Sequence, residues 1–368
     1  MKLGGRTWSR QELEARVGSV AQLGGARWCE LLEGRGRGMR TIEVDAASGL
    51  SFSILPDRGM GIGRASWRGM PLAFFDAAAE AHPAFFDPAG VEWIRGFYAG
   101  LLTTCGLGNL GAPGPDGAED LGQHGRIAHA PAAGLADLSA WEGDEFVTRI
   151  RGTLEEGVLF GGRLRLVRTI SVRLGESSLR IEDEVTNVGY GAAPFVILYH
   201  INPGFPLLDE GAALTLAARS CAPYDEHSRG GFSERFSFGP PREGWREQNF
   251  LHAVAGDSTG AAHAILTNPR CGAGIALTLS FSAQSLPYLS EWKSLAPRDY
   301  VIGLEPCNAP VRNRAELRRR GELPMLAPGE SRRTWLEIGV MEGSGAIEKR
   351  EHEIGALAPA VREPAGSV

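Results

Sequence analysis

Three short polar segments each place a titratable side chain where an ordinary strand or loop would carry none. His124 lies between glycines, so another group can approach it closely. His200 and Asn202 end an apolar run, and the two-residue period of a strand puts both on one face. Glu305 ends a second apolar run, directly before a proline. A carboxylate there has its pKa raised by desolvation unless it is paired, which suits a general base.

Each segment also fits a purely structural explanation. His124 fits a plain loop histidine, His200 a hydrogen-bonded core histidine, and Glu305 one half of a buried Glu–Arg pair. The case for chemistry therefore depends on whether the fold brings the three side chains together.

Short alternating strands dominate the sequence and predict the scaffold that must position these residues. Half-buried strands are predicted at residues 41–45, 50–55, 146–152, 164–173 and 178–187, the last two joined by a hairpin turn at 174–177. Such strands need a second sheet to cover their apolar faces, which predicts an all-β, large antiparallel β-sandwich. One capped helix is predicted at residues 9–17. A βαβ alternation is absent, so Rossmann and TIM-barrel folds fit the sequence poorly.

The composition excludes several classes of protein. The chain has 368 residues and a formal net charge of −6 without a basic stripe, so nucleic acid is not an expected partner. The five cysteines form no CxxC pair, which argues against structural zinc. No apolar run approaches the roughly 20 residues of a membrane helix, and the N-terminus lacks a signal-peptide core. We expect a cytoplasmic protein that does not bind a membrane.

One domain is expected over residues 1–368, since no linker divides the chain. The strand pattern breaks at residues 75–120, which are rich in glycine, proline and aromatic residues, and we interpret this segment as an insertion lining a site. The tail from 343 to 368 loses strand character, and its last few residues are expected to fray.

The three polar segments, in this order, resemble the aldose 1-epimerase (galactose mutarotase) superfamily. The resemblance lies in His124-Gly125, in His200 with Asn202, and in Leu304-Glu305-Pro306. A less characterised bacterial branch, of DUF4432 type, is also similar through segments 55–60 (LPDRGM), 101–107 (LLTTCGL) and 124–127 (HGRI). The resemblance covers about residues 40–340 and implies a galactose mutarotase-like supersandwich.

The resemblance also implies roles for individual residues. Glu305 would be the general base that removes the proton from the anomeric hydroxyl, and His200 the general acid that protonates the ring oxygen. His124 would hydrogen-bond the sugar and steady the open-chain carbonyl. No metal site and no cofactor is implied. The residues expected to bind the sugar are Arg126, Asn202, Arg58, Asp57, Trp93 and Asn308.

Two other functions remain open. The same residues would serve a keto-sugar isomerase or C-epimerase that abstracts a C–H proton, and His124, His200 and Glu305 could then bind a divalent metal that stabilises an enediolate. A sugar-binding protein without catalysis is the second alternative, because sandwich folds also serve as binding modules. The expected partner in every case is a small-molecule sugar, and a homodimer remains open.

Overall fold

A computed structural model describes residues 1–78 and 80–358 of the chain, and the predicted fraying of the last residues lies outside this range. The first strands are β1 Lys2–Leu3, β2 Arg6–Thr7, β3 Gly25–Glu30, β4 Arg40–Asp45, β5 Leu50–Leu55, β6 Gly61–Trp67, β7 Met70–Pro71, β8 Leu102–Leu107, β9 Gly114–Asp116, β10 Glu119–Leu121, β11 Ala133–Asp137, β12 Ala140–Glu142 and β13 Glu145–Gly157. The later strands are β14 Arg163–Arg173, β15 Ser178–Asn187, β16 Ala193–Pro194, β17 Val196–Ile201, β18 Ala213–Leu216, β19 Ala218–Pro223, β20 Gln248–Val254, β21 Ala261–Asn268, β22 Ile275–Ser282, β23 Tyr288–Leu295, β24 Tyr300–Cys307, β25 Met325–Leu326 and β26 Ser331–Glu342. The α-helices are α1 Arg10–Glu14, α2 Trp93–Gly96, α3 Glu226–Gly230, α4 Arg314–Arg320 and α5 Ser344–Gly355.

Two large antiparallel sheets carry most of these strands. The 11-stranded sheet has the order β19-β20-β23-β24-β17-β8-β6-β5-β4-β3, with β7 paired to β6. The nine-stranded sheet has the order β11-β13-β14-β15-β26-β22-β21-β18, with β12 paired to β13. The predicted all-β antiparallel sandwich is therefore confirmed.

The main hydrophobic core lies between the two sheets, because alternate residues of each strand point inward. The 11-stranded sheet contributes Ile42, Phe52, Ile197, Tyr199 and Leu304, and the nine-stranded sheet contributes Leu166, Ile181, Leu277 and Ile338. The other face of the 11-stranded sheet carries a smaller apolar cluster that includes Cys105, Leu198 and Cys307. Of the polar residues singled out above, His200 and Glu305 lie on this outer face.

Local predictions are confirmed where the pattern was regular. Strands β14 and β15 pair as a hairpin, and Ser9 is the N-cap of α1 with a full capping box to Glu12, but the helix ends at Glu14 and not at the predicted residue 17. The prediction of an irregular segment over 75–120 is wrong for residues 102–107, which form β8 in the middle of the large sheet. All six residues of β8 are buried, so they show no alternation that sequence analysis could detect.

A buried charged network joins the two sheets. Arg168 of β14 donates two hydrogen bonds to Asp183 of β15, at 2.9 and 2.6 Å, and a third to the Thr104 hydroxyl of β8 at 2.8 Å. The Tyr199 hydroxyl of β17 donates to Asp183 at 2.6 Å. Arg168 has no exposed surface, and a charge this deeply buried is tolerated because its donors are paired.

Candidate active site

His200 and Glu305 lie on neighbouring central strands of the 11-stranded sheet. Strand β17 pairs with β24 through Leu198 opposite Cys307 and Ile201 opposite Leu304. Since Ile201 and Leu304 point into the main core, the residues that alternate with them point to the outer face. His200 and Glu305, each near the end of an apolar run in the sequence, therefore lie on the same outer face of the 11-stranded sheet.

The two side chains contact each other directly. His200 Nε2 lies 3.0 Å from Glu305 Oε1, and the residues are 5% and 2% exposed. Burial raises the pKa of Glu305 to about 8, an effect that the nearby Ser290 hydroxyl partly offsets. Burial lowers the pKa of His200 to about 3, and the neighbouring His124 lowers it further. At neutral pH the pair is therefore an uncharged acid beside an uncharged base.

The loop that carries His124 is held against β8 by its backbone. His124 N donates to Gly111 O at 3.1 Å, and Gly106 N donates to His124 O at 2.9 Å. The φ angle of His124 is 53°, a left-handed conformation that residues other than glycine rarely adopt. A Cβ at Gly125 would lie 2.2 Å from Gly106 O, so only glycine allows the loop to pack this closely.

His124 faces His200, with their ring centroids 6.3 Å apart. Burial lowers the pKa of His124 to about 4, so its ring is neutral at physiological pH. A neutral imidazole can donate a hydrogen bond from one nitrogen and accept at the other. The structure therefore brings together all three side chains predicted to be catalytic.

Aromatic rings surround the acid–base pair. The Phe97 ring lies 5.0 Å from the His200 ring, and the Trp292 ring lies 5.5 Å from it. Trp93 stacks on Phe97 at 4.7 Å and contacts His124 at 4.8 Å. Trp93 is only 3% exposed, so it supports the wall of the site from behind, and any contact between Trp93 and a sugar stays a prediction.

Sequence analysis missed Glu247, the exposed carboxylate beside the site. Trp292 Nε1 donates to Glu247 Oε2 at 2.6 Å, and the charge of Glu247 contributes to the raised pKa of Glu305. Glu247 directly precedes β20 and belongs to none of the polar motifs, so nothing in the sequence around it marks it. Its position on the rim suits an acceptor for a hydroxyl group.

Asn202 and Asn308 brace β17 through its backbone. Asn202 Nδ2 donates to the carbonyl oxygens of Gly100 and His200, at 3.0 and 2.9 Å. Asn308 accepts from Ile197 N at 2.8 Å and donates to the carbonyl of the residue before β17 at 3.0 Å. Both amides thus hold the strand that carries His200, and their predicted contact with a sugar stays a prediction.

Asp57 and Arg58 also contact protein groups. Asp57 accepts from the backbone N of Arg40 at 2.7 Å and from its guanidinium. Arg58 is 4% exposed and donates to the carbonyls of Ala81 and Gly96, at 2.8 and 2.6 Å. Arg58 therefore ties down both ends of the aromatic segment 81–96. Arg58 thus anchors this segment and does not contact the acid–base pair.

Arg126 points away from the pair and into a separate cavity of about 500 Å³ that Glu156 also lines. Of the described residues that line this cavity, none is His124, His200 or Glu305. Arg126 lies instead with residues of β10 and the end of β13, which line the same cavity. Its predicted binding of the substrate is therefore not supported by this placement.

Comparisons with known proteins identify the family. A domain of unknown function, DUF4432, matches residues 36–340. The chain belongs to this family. The predicted DUF4432-type branch is thereby confirmed, and the description of the family states no activity. None of the curated proteins searched matches the chain.

Solved structures with a similar fold include proteins described as aldose 1-epimerases or as galactose mutarotase-like. One from Klebsiella pneumoniae, described as a "putative aldose 1-epimerase", has a TM-score of 0.87 at 22% identity, covering 93% of this chain and 90% of that chain. Galactose 1-epimerase from Lactobacillus acidophilus has a TM-score of 0.56 at 15% identity, covering 87% of this chain and 99% of that chain. A galactose mutarotase-like protein from Clostridium acetobutylicum has a TM-score of 0.58 at 12% identity, covering 86% and 99%. These similarities confirm the predicted mutarotase-like fold.

The described residues show neither a cluster of metal ligands nor a membrane-spanning helix. Within residues 1–78 and 80–358, no group of three or more His, Cys, Asp or Glu side chains is arranged to hold a metal ion. The metal-assisted alternative stays a prediction. No helix in the part of the chain that the structure describes is long and apolar enough to cross a membrane.

Proposed function

We propose that this protein interconverts the anomers of an aldose or a modified sugar by general acid/base ring opening. The observation that carries the proposal is the buried contact of 3.0 Å between His200 and Glu305, with His124 facing them. The mutarotase-like fold supports the same class of reaction.

The reaction moves one proton off the substrate and another onto it. Glu305 takes the proton from the anomeric hydroxyl O1, the C1–O1 bond becomes a carbonyl, and the C1–O5 bond breaks as His200 protonates O5. Rotation about C1–C2 and the reverse steps then close the ring as the other anomer. Because O1 and O5 are bonded to the same carbon, the acid and the base must be close neighbours, as His200 and Glu305 are. His124 would hydrogen-bond the carbonyl oxygen of the open form.

This chemistry draws on protein side chains alone and needs no metal or organic cofactor. Each positioned proton transfer contributes roughly 10²–10⁴-fold to the rate. The environment of the pair favours such transfers because water is largely excluded from it. We propose further that the substrate is a small-molecule sugar, free or modified, and that the protein acts in the cytoplasm.

Proton NMR of a panel of sugars in D₂O tests the proposal. Faster exchange between the α and β anomeric signals, with every C–H proton retained, is the expected result. Loss of a C–H signal to deuterium, or a new sugar, would contradict mutarotation and favour a keto-sugar isomerase or C-epimerase. Line broadening without exchange for any sugar of the panel would instead identify a binding protein.

The pH dependence follows from the proton that the pair shares. With the pKa of Glu305 raised to about 8 and that of His200 lowered to about 3, the pair keeps one proton between these values. Transfer of that proton from Glu305 to His200 creates the base and the acid together. We expect the enzyme-dependent rate constant to be level near neutrality and to fall above about pH 8, where the pair loses the proton.

Rates measured from about pH 5 to about pH 10, a range on both sides of the pKa of Glu305, check this expectation. The spontaneous rate in matched buffer is subtracted from each. A rate that rises through pH 8 would show that ionised Glu305 acts alone and that the acid comes from elsewhere. His124 does not confound the profile, because its pKa of about 4 lies below the range.

A further inference from the structure

The cavity behind the His124 loop has the size of a small-molecule site. Its volume of about 500 Å³ lies within the range of about 300–1,000 Å³ that ligand pockets occupy. It opens between β10, the end of β13, β16 and the back of the His124 loop. The polar side chains that line it are Asn109, Glu119, Asp120, Arg126, Glu156 and Arg314.

Arg314 and Glu119 of this cavity are already in an ion pair, whereas among the described residues Asp120, Arg126 and Glu156 are in none. Arg314 donates to Asp116 at 2.6 Å and to Glu119 at 2.8 Å. Within residues 1–78 and 80–358, the guanidinium of Arg126 makes no hydrogen bond and no ion pair, although Arg126 lines the cavity. An uncommitted guanidinium at the wall of a cavity suits a carboxylate or phosphate, which it can bind with two parallel hydrogen bonds.

Glu156 lies in the same cavity and contacts the strand next to the His124 loop. Its Oε2 accepts from Leu107 N at 3.2 Å. Burial raises the pKa of Glu156 to about 7, so near neutrality part of the population is uncharged and repels an anion less. The carboxyl group retains lone pairs that can accept from a hydroxyl.

The cavity and the acid–base pair share one loop. Arg126 N donates to Gly106 O at 3.0 Å, and Gly106 N donates to His124 O at 2.9 Å. A Cβ at Gly106 would lie 2.2 Å from Val196 O, so the loop, β8 and β17 are in backbone contact. The backbone that carries Arg126 is therefore joined through Gly106 to the backbone that carries His124.

We propose that this cavity is a second ligand site, separate from the acid–base pair, for a small polyhydroxylated organic anion. Arg126 binds the carboxylate or phosphate of the ligand, and Glu156 accepts from one of its hydroxyl groups. Binding here can be tested separately from mutarotation, because no atom of the His200–Glu305 pair takes part in it.

Calorimetric titration with D-gluconate, D-glucose 6-phosphate and neutral D-glucose tests the site. Wild type and Glu305→Gln should bind at least one of the two anions equally well, and the anion that binds identifies whether the site takes a carboxylate or a phosphate. Arg126→Leu should weaken that binding roughly 10- to 100-fold, since a charged hydrogen-bonding group is lost. The matched control is Arg219→Leu, which removes another exposed arginine, on β19, and should leave binding unchanged.

Hydrogen–deuterium exchange locates the bound anion. The ligand should protect the backbone amides of residues 118–126 and 156–158 in wild type, and Arg126→Leu should remove that protection. Three results would overturn the proposal: no binding of either anion at millimolar concentration, equal binding by wild type and Arg126→Leu, or protection confined to residues around His200 and Glu305.

Discussion

Replacing Glu305 by Gln is expected to slow enzyme-catalysed anomer exchange by about 10²–10⁴-fold, the usual contribution of one positioned proton transfer. The amide keeps the shape of the side chain but cannot accept the proton of the anomeric hydroxyl. It also cannot hold the proton that Glu305 and His200 share across 3.0 Å. Anomeric exchange followed by NMR or polarimetry gives the rate, and a titration with the same sugar should show nearly unchanged affinity.

The chain offers a matched control for this substitution. His252 and Glu291 form a second buried His–Glu pair, with 2.9 Å between His252 Nε2 and Glu291 Oε2 and no exposed surface on either residue. Glu291 lies on β23 next to Ser290, so its side chain points to the opposite face of the sheet from Glu305. Glu291→Gln should keep its catalytic rate. A rate for Glu305→Gln that matches the rate of this control would remove Glu305 from the mechanism.

Replacing Gly303 by Ala should also impair the site, by about 10²-fold, because small misplacements of catalytic groups have effects of this size. A Cβ at position 303 would lie 2.4 Å from Glu305 Oε1 and 3.0 Å from His200 Cε1. The φ angle of Gly303 is not positive, so the backbone accepts alanine and the effect is steric. The added methyl group must therefore displace the carboxylate from the imidazole. Rate measurements, together with the pH profile, check this expectation.

Gly339→Ala separates this local effect from a general loss of stability. Gly339 lies in β26 of the other sheet, where a Cβ would meet Thr278 Oγ1 at 2.8 Å and Ser178 Cβ at 3.1 Å. Crowding is thus comparable, but no catalytic group is involved. We expect both variants to have lowered melting temperatures and only Gly303→Ala to lose rate. If Gly303→Ala retained full activity, the tight contact between the carboxylate and the imidazole would not be required.

The regular strands could be predicted because a strand with one buried face alternates apolar and polar side chains. Residues 164–187 alternate apolar and polar side chains on either side of a glycine turn, and they form the β14–β15 hairpin. Strand β8 could not be predicted in the same way, because a strand buried on both faces shows no alternation. The positions of His200 and Glu305 at the ends of apolar runs could be seen, but their contact depends on the register of β17 and β24.

The supporting residues were harder to predict than the pair. An asparagine after a strand has the same sequence signature whether it binds a ligand or the backbone, and Asn202 and Asn308 contact the backbone. Arg58 likewise serves carbonyl groups of the aromatic segment. The effect of Gly303 is visible only from the distance between its missing Cβ and Glu305.

The hydrogen bond between Tyr199 and Asp183 has a consequence for how the candidate site of this protein can change. Tyr199 and His200 are neighbours on β17, so their side chains point to opposite faces of the sheet. The Tyr199 side chain is hydrogen-bonded to the nine-stranded sheet, and the His200 side chain projects into the site. The position of His200 is thereby fixed by a contact between the two sheets, independently of the loops at the rim of the site. If the proposed function holds, changes in the rim loops can alter which sugar binds while His200 keeps its position, whereas a substitution of Tyr199 would disturb His200 without any contact with the sugar.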